Sequence, residues 1–162
     1  MHEKLLFQFL AGAITAWWIY FKLGTQWHSL WVPLDGQASI GWWIIPIVIF
    51  AVMFTANAVN IADGLDGLAG GSLILTFLGL TMISWTEGRG SFTLLNATVV
   101  GALIAYTYFN VKPARFQMGD VGSLGLGALF AINAIAINRT LLIPFLGFIF
   151  FVYYPHLTLD GY

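Results

Sequence analysis

The chain contains six long apolar segments, and their length constrains the fold more than any other feature. A helix needs about 20 mainly apolar residues to span the hydrocarbon core of a bilayer. The segments lie approximately at 5–23, 41–59, 67–85, 92–111, 122–138 and 141–159. The fifth is short, and Pro144 and Pro155 interrupt the sixth. We predict an all-α fold, a polytopic membrane helical bundle of about six transmembrane helices, forming a single transmembrane domain over residues 1–162.

The composition excludes a water-soluble domain. Apolar residues make up 59% of the chain and charged residues 8%, whereas a soluble domain carries about 25% charged residues. The seven tryptophans gather near segment ends, as interfacial aromatic belts do. The lack of cysteine excludes disulfides and thiolate metal sites. The lack of a basic run gives no basis for nucleic-acid binding.

The sidedness of the loops follows from counting crossings. Two predicted helices separate the loop around residues 63–66 from the loop around residue 120, so both loops and the N-terminus share one face. Basic residues in short loops normally mark the cytoplasmic face. Here the two faces carry three basic residues each: Lys4, Lys112 and Arg115 against Lys22, Arg89 and Arg139. Charge therefore predicts no absolute orientation.

Two further patterns predict local structure. The pair Asp35-Gly36 in the loop 24–40 favours a tight turn, so we expect a small two-stranded excursion or an ordered loop on the opposite face. The spacings Gly67-x-x-x-Gly71 and Ser123-x-x-x-Gly127 are typical of close contacts between membrane helices.

Four polar side chains recur every third residue at the boundary between the second and third segments: Asn57, Asn60, Asp63 and Asp66. We predict a helix end that carries the two asparagines, followed by a turn loosened by glycines that presents the two acids. Asp66 alone is explained equally by capping of the third helix. Four such groups at a membrane boundary exceed what capping requires and indicate a functional site.

A second acidic motif, Met118-Gly-Asp120-Val-Gly-Ser123, opens the fifth segment. Asp120 is explained either as an N-cap or as a ligand. A helix N-terminus attracts phosphate, and a carboxylate beside a phosphate requires a bridging cation. Mg²⁺ takes one or two carboxylates, phosphates and waters. Lys112 and Arg115 in the same loop are explained either as surface anchors or as groups that neutralise a phosphate.

These motifs resemble a known family. The segments Asn57-Ala-Val-Asn-Ile-Ala-Asp-Gly-Leu-Asp-Gly-Leu-Ala69 and Phe109-Asn-Val-Lys-Pro-Ala-Arg-Phe-Gln-Met-Gly-Asp-Val-Gly-Ser-Leu124 resemble the phospho-N-acetylmuramoyl-pentapeptide transferases, within the polyprenyl-phosphate N-acetylhexosamine phosphate transferase superfamily. The resemblance implies a multi-pass protein of the bacterial inner membrane with both motif loops in the cytoplasm. It implies Mg²⁺-dependent transfer of phospho-MurNAc-pentapeptide from its UDP carrier to undecaprenyl phosphate, releasing UMP and the first lipid-linked peptidoglycan precursor.

The motifs and the resemblance together predict the site residues. Asp63, Asp66 and Asp120 are the predicted catalytic residues, and Asp120 with Asp63 are the predicted Mg²⁺ ligands. The resemblance matches Asp120 to a metal-binding aspartate, Asp63 and Asp66 to acids of the nucleotide cleft, and Asn110 to a neighbouring asparagine. The predicted substrate-binding residues are Asn57, Asn60, Asn110, Lys112 and Arg115.

The chain departs from the family in three places. An upstream pair of aspartates is missing, since Glu3 is the only acid before Asp35. The histidine-rich loop that follows in the family is missing too. Gln117 stands where many members place a Phe, and Phe116 is one residue away. The chain therefore resembles the central part of such an enzyme, a fragment lacking both ends, and we expect it to be inactive alone.

Three alternatives remain open at this point. One is a related transferase that uses UDP-GlcNAc. Another is a cation or proton pathway built on intramembrane acids. A third is a non-catalytic fragment that assembles with other membrane proteins.

The predicted partners are a UDP-linked amino sugar, a polyprenyl phosphate lipid and the membrane. No binding to nucleic acid is predicted. The formation of a homodimer is left open.

Overall fold

The computed structural model describes residues 2–22, 29–32 and 36–144. Within them, helices dominate, with one small antiparallel sheet between the first two long helices in chain order. The elements are α1 (His2–Lys22), β1 (Ser29–Val32), β2 (Gly36–Ser39), α2 (Ile44–Ala62), α3 (Leu68–Thr86), α4 (Gly90–Asn110) and α5 (Gly119–Ala136). Five helices of the described part are long and apolar enough to cross a membrane. The predicted polytopic helical fold is confirmed, and most of the sixth predicted segment lies outside the described residues.

The hairpin predicted from Asp35-Gly36 is confirmed by its strands. β1 and β2 pair antiparallel, with Ser29 opposite Ser39 and Val32 opposite Gly36. Gly36 has a φ of 83°, the left-handed conformation that tight hairpin turns require. Residues 33–35 between the strands lie outside the described part of the chain.

The helices pack in two groups that share one core. α2 lies against both α1 and α5, while α3 pairs mainly with α4 and also contacts α5. Buried apolar side chains from all five helices form a single cluster. Phe77 of α3 and Phe130 of α5 meet edge to face at its centre, with ring centroids 6.3 Å apart. In lipid, such van der Waals packing holds helices together, because apolar side chains gain little by leaving the lipid.

Among the described glycines, the closest approach to the backbone of another helix is made at Gly127, as its small-residue spacing predicts. A Cβ added to Gly127 would lie 2.6 Å from the carbonyl oxygen of Thr55 and 2.7 Å from the Cα of Ala56. Only a residue without a side chain lets α5 approach α2 this closely. The other predicted spacing is wrong for Gly71, where an added Cβ meets nothing within 4 Å. Its neighbour Gly70 faces α4 instead, with Thr107 and Tyr106 against it.

Gly127→Ala is therefore expected to destabilise the bundle by about 1–2 kcal/mol, because a methyl group must force two backbones apart. Thermal unfolding of the protein in lipid nanodiscs measures the effect. Gly125→Ala is the matched control, since an added Cβ there meets nothing within 4 Å. Equal unfolding midpoints for the two variants would contradict the close packing of α5 on α2.

The two ends of the bundle differ in chemistry. The turn at 63–67 and the loop at 111–118 lie at one end, and the turns that follow α3 and α5 lie at the other. At that second end Glu87 accepts hydrogen bonds from Arg139, with its Oε1 3.0 Å from Nε, and pairs with Arg89 at 3.0 Å. Trp42, Trp43 and Trp85 are exposed there. The described turns and loops therefore divide between the two ends of the bundle as predicted.

Candidate functional site

The two acidic motifs meet at one end of the bundle. The turn at 63–67 follows α2, and the loop at 111–118 runs from α4 into α5. Asp63 contacts the backbone at the start of α5, and Asn60 contacts Asp120 directly. Because α3 and α4 run out and back, Asp63 and Gly119 meet although they are 56 positions apart in the chain. The predicted proximity of Asp63 and Asp120 is confirmed.

Asp63 ties the two loops together from a buried position. It is the C-cap of α2, and 6% of its surface is exposed. Its Oδ2 accepts a hydrogen bond from the Gly119 N–H at 2.8 Å, and its Oδ1 accepts bonds from the Met118 N–H at 3.3 Å and the Tyr106 hydroxyl at 3.1 Å. The first N–H groups of a helix have no partner within that helix and favour an anion. Asp63 is thus a carboxylate cap for α5, supplied by another helix.

Asp66 is exposed and makes a different contact. Its Oδ2 accepts a hydrogen bond from the Ala114 N–H at 3.1 Å, again joining the turn to the second loop. The alternative in which Asp66 caps α3 is wrong, because Gly67, with a φ of 78°, occupies the N-cap position. The capping contact comes from the buried Asn110, whose Oδ1 accepts the Gly67 N–H at 2.9 Å. Asn110 also donates to the Phe116 carbonyl at 2.9 Å.

Asn57 faces α1. Its amide nitrogen donates to Gln8 Oε1 at 2.7 Å and to the Met53 carbonyl at 2.8 Å. The Gln8 amide nitrogen lies 3.4 Å from the Asn57 oxygen in return. Gln8 is itself buried. The predicted substrate-binding role of Asn57 stays a prediction, and its visible role is to dock α1 against α2.

Asp120 lies in the first turn of α5, and its carboxylate is about half exposed. Asn60 donates to its Oδ1 at 2.9 Å and to the hydroxyl of the buried Ser123 at 2.8 Å. Oδ2 of Asp120 forms an ion pair with Lys4 of α1. The alternative in which Asp120 is the N-cap is wrong, since Met118 holds that position and the side chain makes no capping hydrogen bond.

Cationic and aromatic groups surround the acids. Lys112 and Arg115 are exposed in the second loop, so both are accessible to a ligand at this end. Phe116 is half exposed and stacks on Phe109, with centroids 5.9 Å apart and planes at 29°. Its edge meets Tyr106 at 5.6 Å. A planar aromatic surface therefore stands beside the acidic turn.

The three acids differ in their fit to a metal ion. Among the described residues, no group of three His, Cys, Asp or Glu side chains is close enough to hold one. Both oxygens of Asp63 already accept hydrogen bonds from the protein. Both oxygens of Asp120 have partners too, Asn60 and Lys4, but its side chain is half exposed whereas Asp63 is buried. Mg²⁺ commonly binds one protein carboxylate together with phosphate oxygens and waters. The residues present fit an ion that Asp120 holds together with a phosphorylated ligand.

Four further side chains contribute to this site and were not predicted from the sequence: Lys4, Gln8, Tyr106 and Ser123. Lys4 and Gln8 are one turn apart on α1, and this i, i+4 spacing in a mainly apolar helix is the signal that could have identified them. Tyr106 precedes Asn110 by the same interval. Ser123 belongs to the second motif, and its spacing to Gly127 predicts only close packing of helices.

The five long apolar helices define an integral membrane protein. One end of their bundle gathers carboxylates, carboxamides and exposed cations, which are costly at a membrane boundary unless they have a function. Residues 1–138 match the family described as glycosyl transferase family 4. The match covers most of the sequence, and the chain belongs to this family.

Three of the chain's curated relatives share one name. The phospho-N-acetylmuramoyl-pentapeptide-transferase of Latilactobacillus sakei subsp. sakei (strain 23K) is 37% identical over 150 residues, 93% of this chain and 46% of the relative. The enzyme of the same name from Chloroflexus aurantiacus (strain ATCC 29366 / DSM 635 / J-10-fl) is 43% identical over 123 residues, 75% of this chain and 34% of the relative. The enzyme of the same name from Clostridium perfringens (strain 13 / Type A) is 37% identical over 153 residues, which are 93% of this chain and 47% of the relative. The chain spans about half the length of the curated relatives it matches.

Proposed function

We propose that this chain forms the central part of a phospho-N-acetylmuramoyl-pentapeptide transferase. The reaction would move phospho-MurNAc-pentapeptide from UDP to undecaprenyl phosphate and release UMP. The observation that carries the proposal is the joining of both acidic motif loops, through Asp63 and Asn60, beside an exposed Asp120. The names of the relatives favour this substrate over UDP-GlcNAc. The motif end of the bundle would then face the cytoplasm, where the nucleotide substrate is found.

In phosphoryl transfer, the protein contributes mainly by positioning the reactants and by neutralising charge. Asp120 would hold Mg²⁺, which supplies charge neutralisation at the diphosphate of the donor. Asn60 fixes the orientation of the Asp120 carboxylate by donating to one of its oxygens. Lys112 and Arg115, exposed in the same loop, would contact phosphate oxygens, Arg115 as a fork and Lys112 as a point charge.

The buried acid has a positioning task in this proposal. Asp63 holds the backbone at Met118 and Gly119, immediately before Asp120 in the chain. A carboxylate bound by three donors keeps this segment in one conformation. Asp66 is exposed at the rim of the same site and remains available to a ligand. The stacked rings of Phe116 and Phe109 offer a flat surface beside it, where a planar nucleobase would fit.

A chimera tests the proposal. This chain replaces the segment that it matches in the Latilactobacillus sakei enzyme, and the product is reconstituted with UDP-MurNAc-pentapeptide, undecaprenyl phosphate and Mg²⁺. We expect UMP release by the chimera. Residues 1–162 alone are expected to release UMP at least about tenfold more slowly than the chimera. Catalytic groups that act as a unit lose most of their effect when some of them are absent, and this chain lacks the upstream aspartate pair and the histidine-rich loop of the family. A folded chimera that releases no UMP would contradict the proposal. Equal rates of UMP release by the chimera and by residues 1–162 would show that the reaction does not need the other segments of the relative.

A further inference from the structure

Lys4 reaches the candidate site from the first turns of α1. Its ammonium forms an ion pair with Oδ2 of Asp120, a residue 116 positions later in the chain. Both side chains are about half exposed, 52% for Lys4 and 49% for Asp120. The pair lies at the end of the bundle where the two motif loops meet. No prediction from the sequence gave Lys4 a role there.

The position of Lys4 is fixed by the residue one turn further along α1. Gln8 is buried and exchanges hydrogen bonds with Asn57 of α2 at 2.7 and 3.4 Å. Residues four apart on a helix share a face, so this contact turns the Lys4 face of α1 toward α2, where Asn60 holds Asp120. The same approach of α1 to α2 is visible at Gly12, where an added Cβ would lie 3.0 Å from the Cα of Ile49. Lys4 is therefore aimed at the carboxylate by packed neighbours.

The two oxygens of Asp120 are held by different partners. Asn60, itself anchored on the buried Ser123, donates to Oδ1. The ammonium of Lys4 holds Oδ2. We propose that Lys4 is a positioning residue that occupies the cation position of Asp120, so that a divalent cation binds by displacing the ammonium. This inference rests on the proposed function.

The displacement has a consequence for charge. A carboxylate that already has a counter-ion binds a second cation less tightly, since the incoming ion must break the existing pair and is repelled by the ammonium. Once released, the Lys4 ammonium remains on α1 beside the site, with three donors free for phosphate oxygens. Lys4 therefore lowers the affinity of the empty site for cations and adds a positive charge when a phosphorylated ligand and a metal are both present.

The test measures binding of Mn²⁺, a paramagnetic probe of the site, to residues 1–162 in nanodiscs of neutral lipid by electron paramagnetic resonance. Lys4→Gln is expected to bind Mn²⁺ about three- to tenfold more tightly than the unmodified chain. Lys4→Arg keeps the counter-ion and is expected to bind no more tightly than the unmodified chain. Lys22→Gln, which removes a charge at the other end of α1, is the matched control and should leave the affinity unchanged.

The outcomes separate this inference from the proposed function. If Lys4 only stabilised the docking of α1, Lys4→Gln would lower the unfolding temperature without tightening Mn²⁺ binding, and the inference would be overturned. Tighter binding by Lys4→Arg would overturn it as well. If Asp120→Asn abolishes Mn²⁺ binding while Lys4→Gln leaves it unchanged, the metal site stands and only the role of Lys4 fails. If Asp120→Asn binds Mn²⁺ normally, the proposed metal site itself is wrong.

Discussion

Asp120→Asn is expected to lower UMP release by the chimera by about 10²–10³-fold at saturating Mg²⁺, while the helix bundle stays folded. The substitution removes the charge of the one motif acid whose carboxylate is accessible and paired with a cation. It keeps the oxygen that accepts the Asn60 amide at 2.9 Å. The fold should therefore survive a change that the proposed metal site does not tolerate. Single-turnover UMP release measures the loss.

Two comparisons make this result specific. The thermal unfolding midpoint of Asp120→Asn should match that of the unmodified chimera within a few degrees, because the residue is half exposed and caps no helix. Asp120→Glu restores the charge on a longer arm and should recover part of the lost rate. Turnover by Asp120→Asn equal to that of the parent chimera would remove Asp120 from the reaction and leave it a surface residue.

The helices were predictable because apolar length alone specifies a membrane-spanning helix. Five predicted segments correspond to α1–α5, with ends that differ by a few residues. The meeting of Asp63 and Asp120 was predictable for a related reason. Helices that cross a bilayer completely return the chain to the same side after every second crossing. Counting the segments therefore predicts which loops share a side, even when the packing of the helices is not known.

The roles of the individual acids were not predictable, because they depend on the conformation of two loops. Asp63 and Asp66 stand three residues apart in the same turn, yet one is buried with three donors and the other is exposed with one. Gly67 and Gly119, with φ values of 78° and 71°, turn the backbone so that helix termini face side chains from the other loop. The sequence predicts that such glycines bend the chain, but it does not predict the direction of the bend.

Pairings between distant helices were equally out of reach. Lys4 is separated from Asp120 by 116 residues, and its position near the start of the chain suggested only a charge for sidedness. The contact requires α1 and α5 to flank α2, an arrangement that apolar periodicity does not encode, because lipid-facing and buried faces are both apolar. Glycine contacts follow the same rule. A Cβ added at Gly127 would clash with α2, whereas one added at Gly71 would meet nothing within 4 Å, although both fit the same spacing.

Asp63→Asn is expected to destabilise the protein by about 2–3 kcal/mol, because a buried carboxylate with three donors becomes a carboxamide. One side-chain oxygen still accepts hydrogen bonds, but the new amide nitrogen opposes the N–H of either Gly119 or Met118. The Tyr106 hydroxyl can rotate and accept from that nitrogen. At least one donor at the start of α5 loses its acceptor. Chemical denaturation in mild detergent measures the loss of stability, and hydrogen exchange locates it.

Asp66→Asn is the matched control, since it makes the same chemical change three residues away in the same turn. Asp66 is exposed and accepts one backbone hydrogen bond, from Ala114 at 3.1 Å, so its substitution should change stability by less than about 1 kcal/mol. Hydrogen exchange at the amides of Met118 and Gly119 should accelerate in Asp63→Asn and stay slow in Asp66→Asn. Equal protection in both variants would show that the start of α5 does not depend on Asp63. Faster exchange in Asp63→Asn alone would mean that Asp120 owes its fixed position to a buried acid of the other motif, which gives the two motifs a physical reason to occur together.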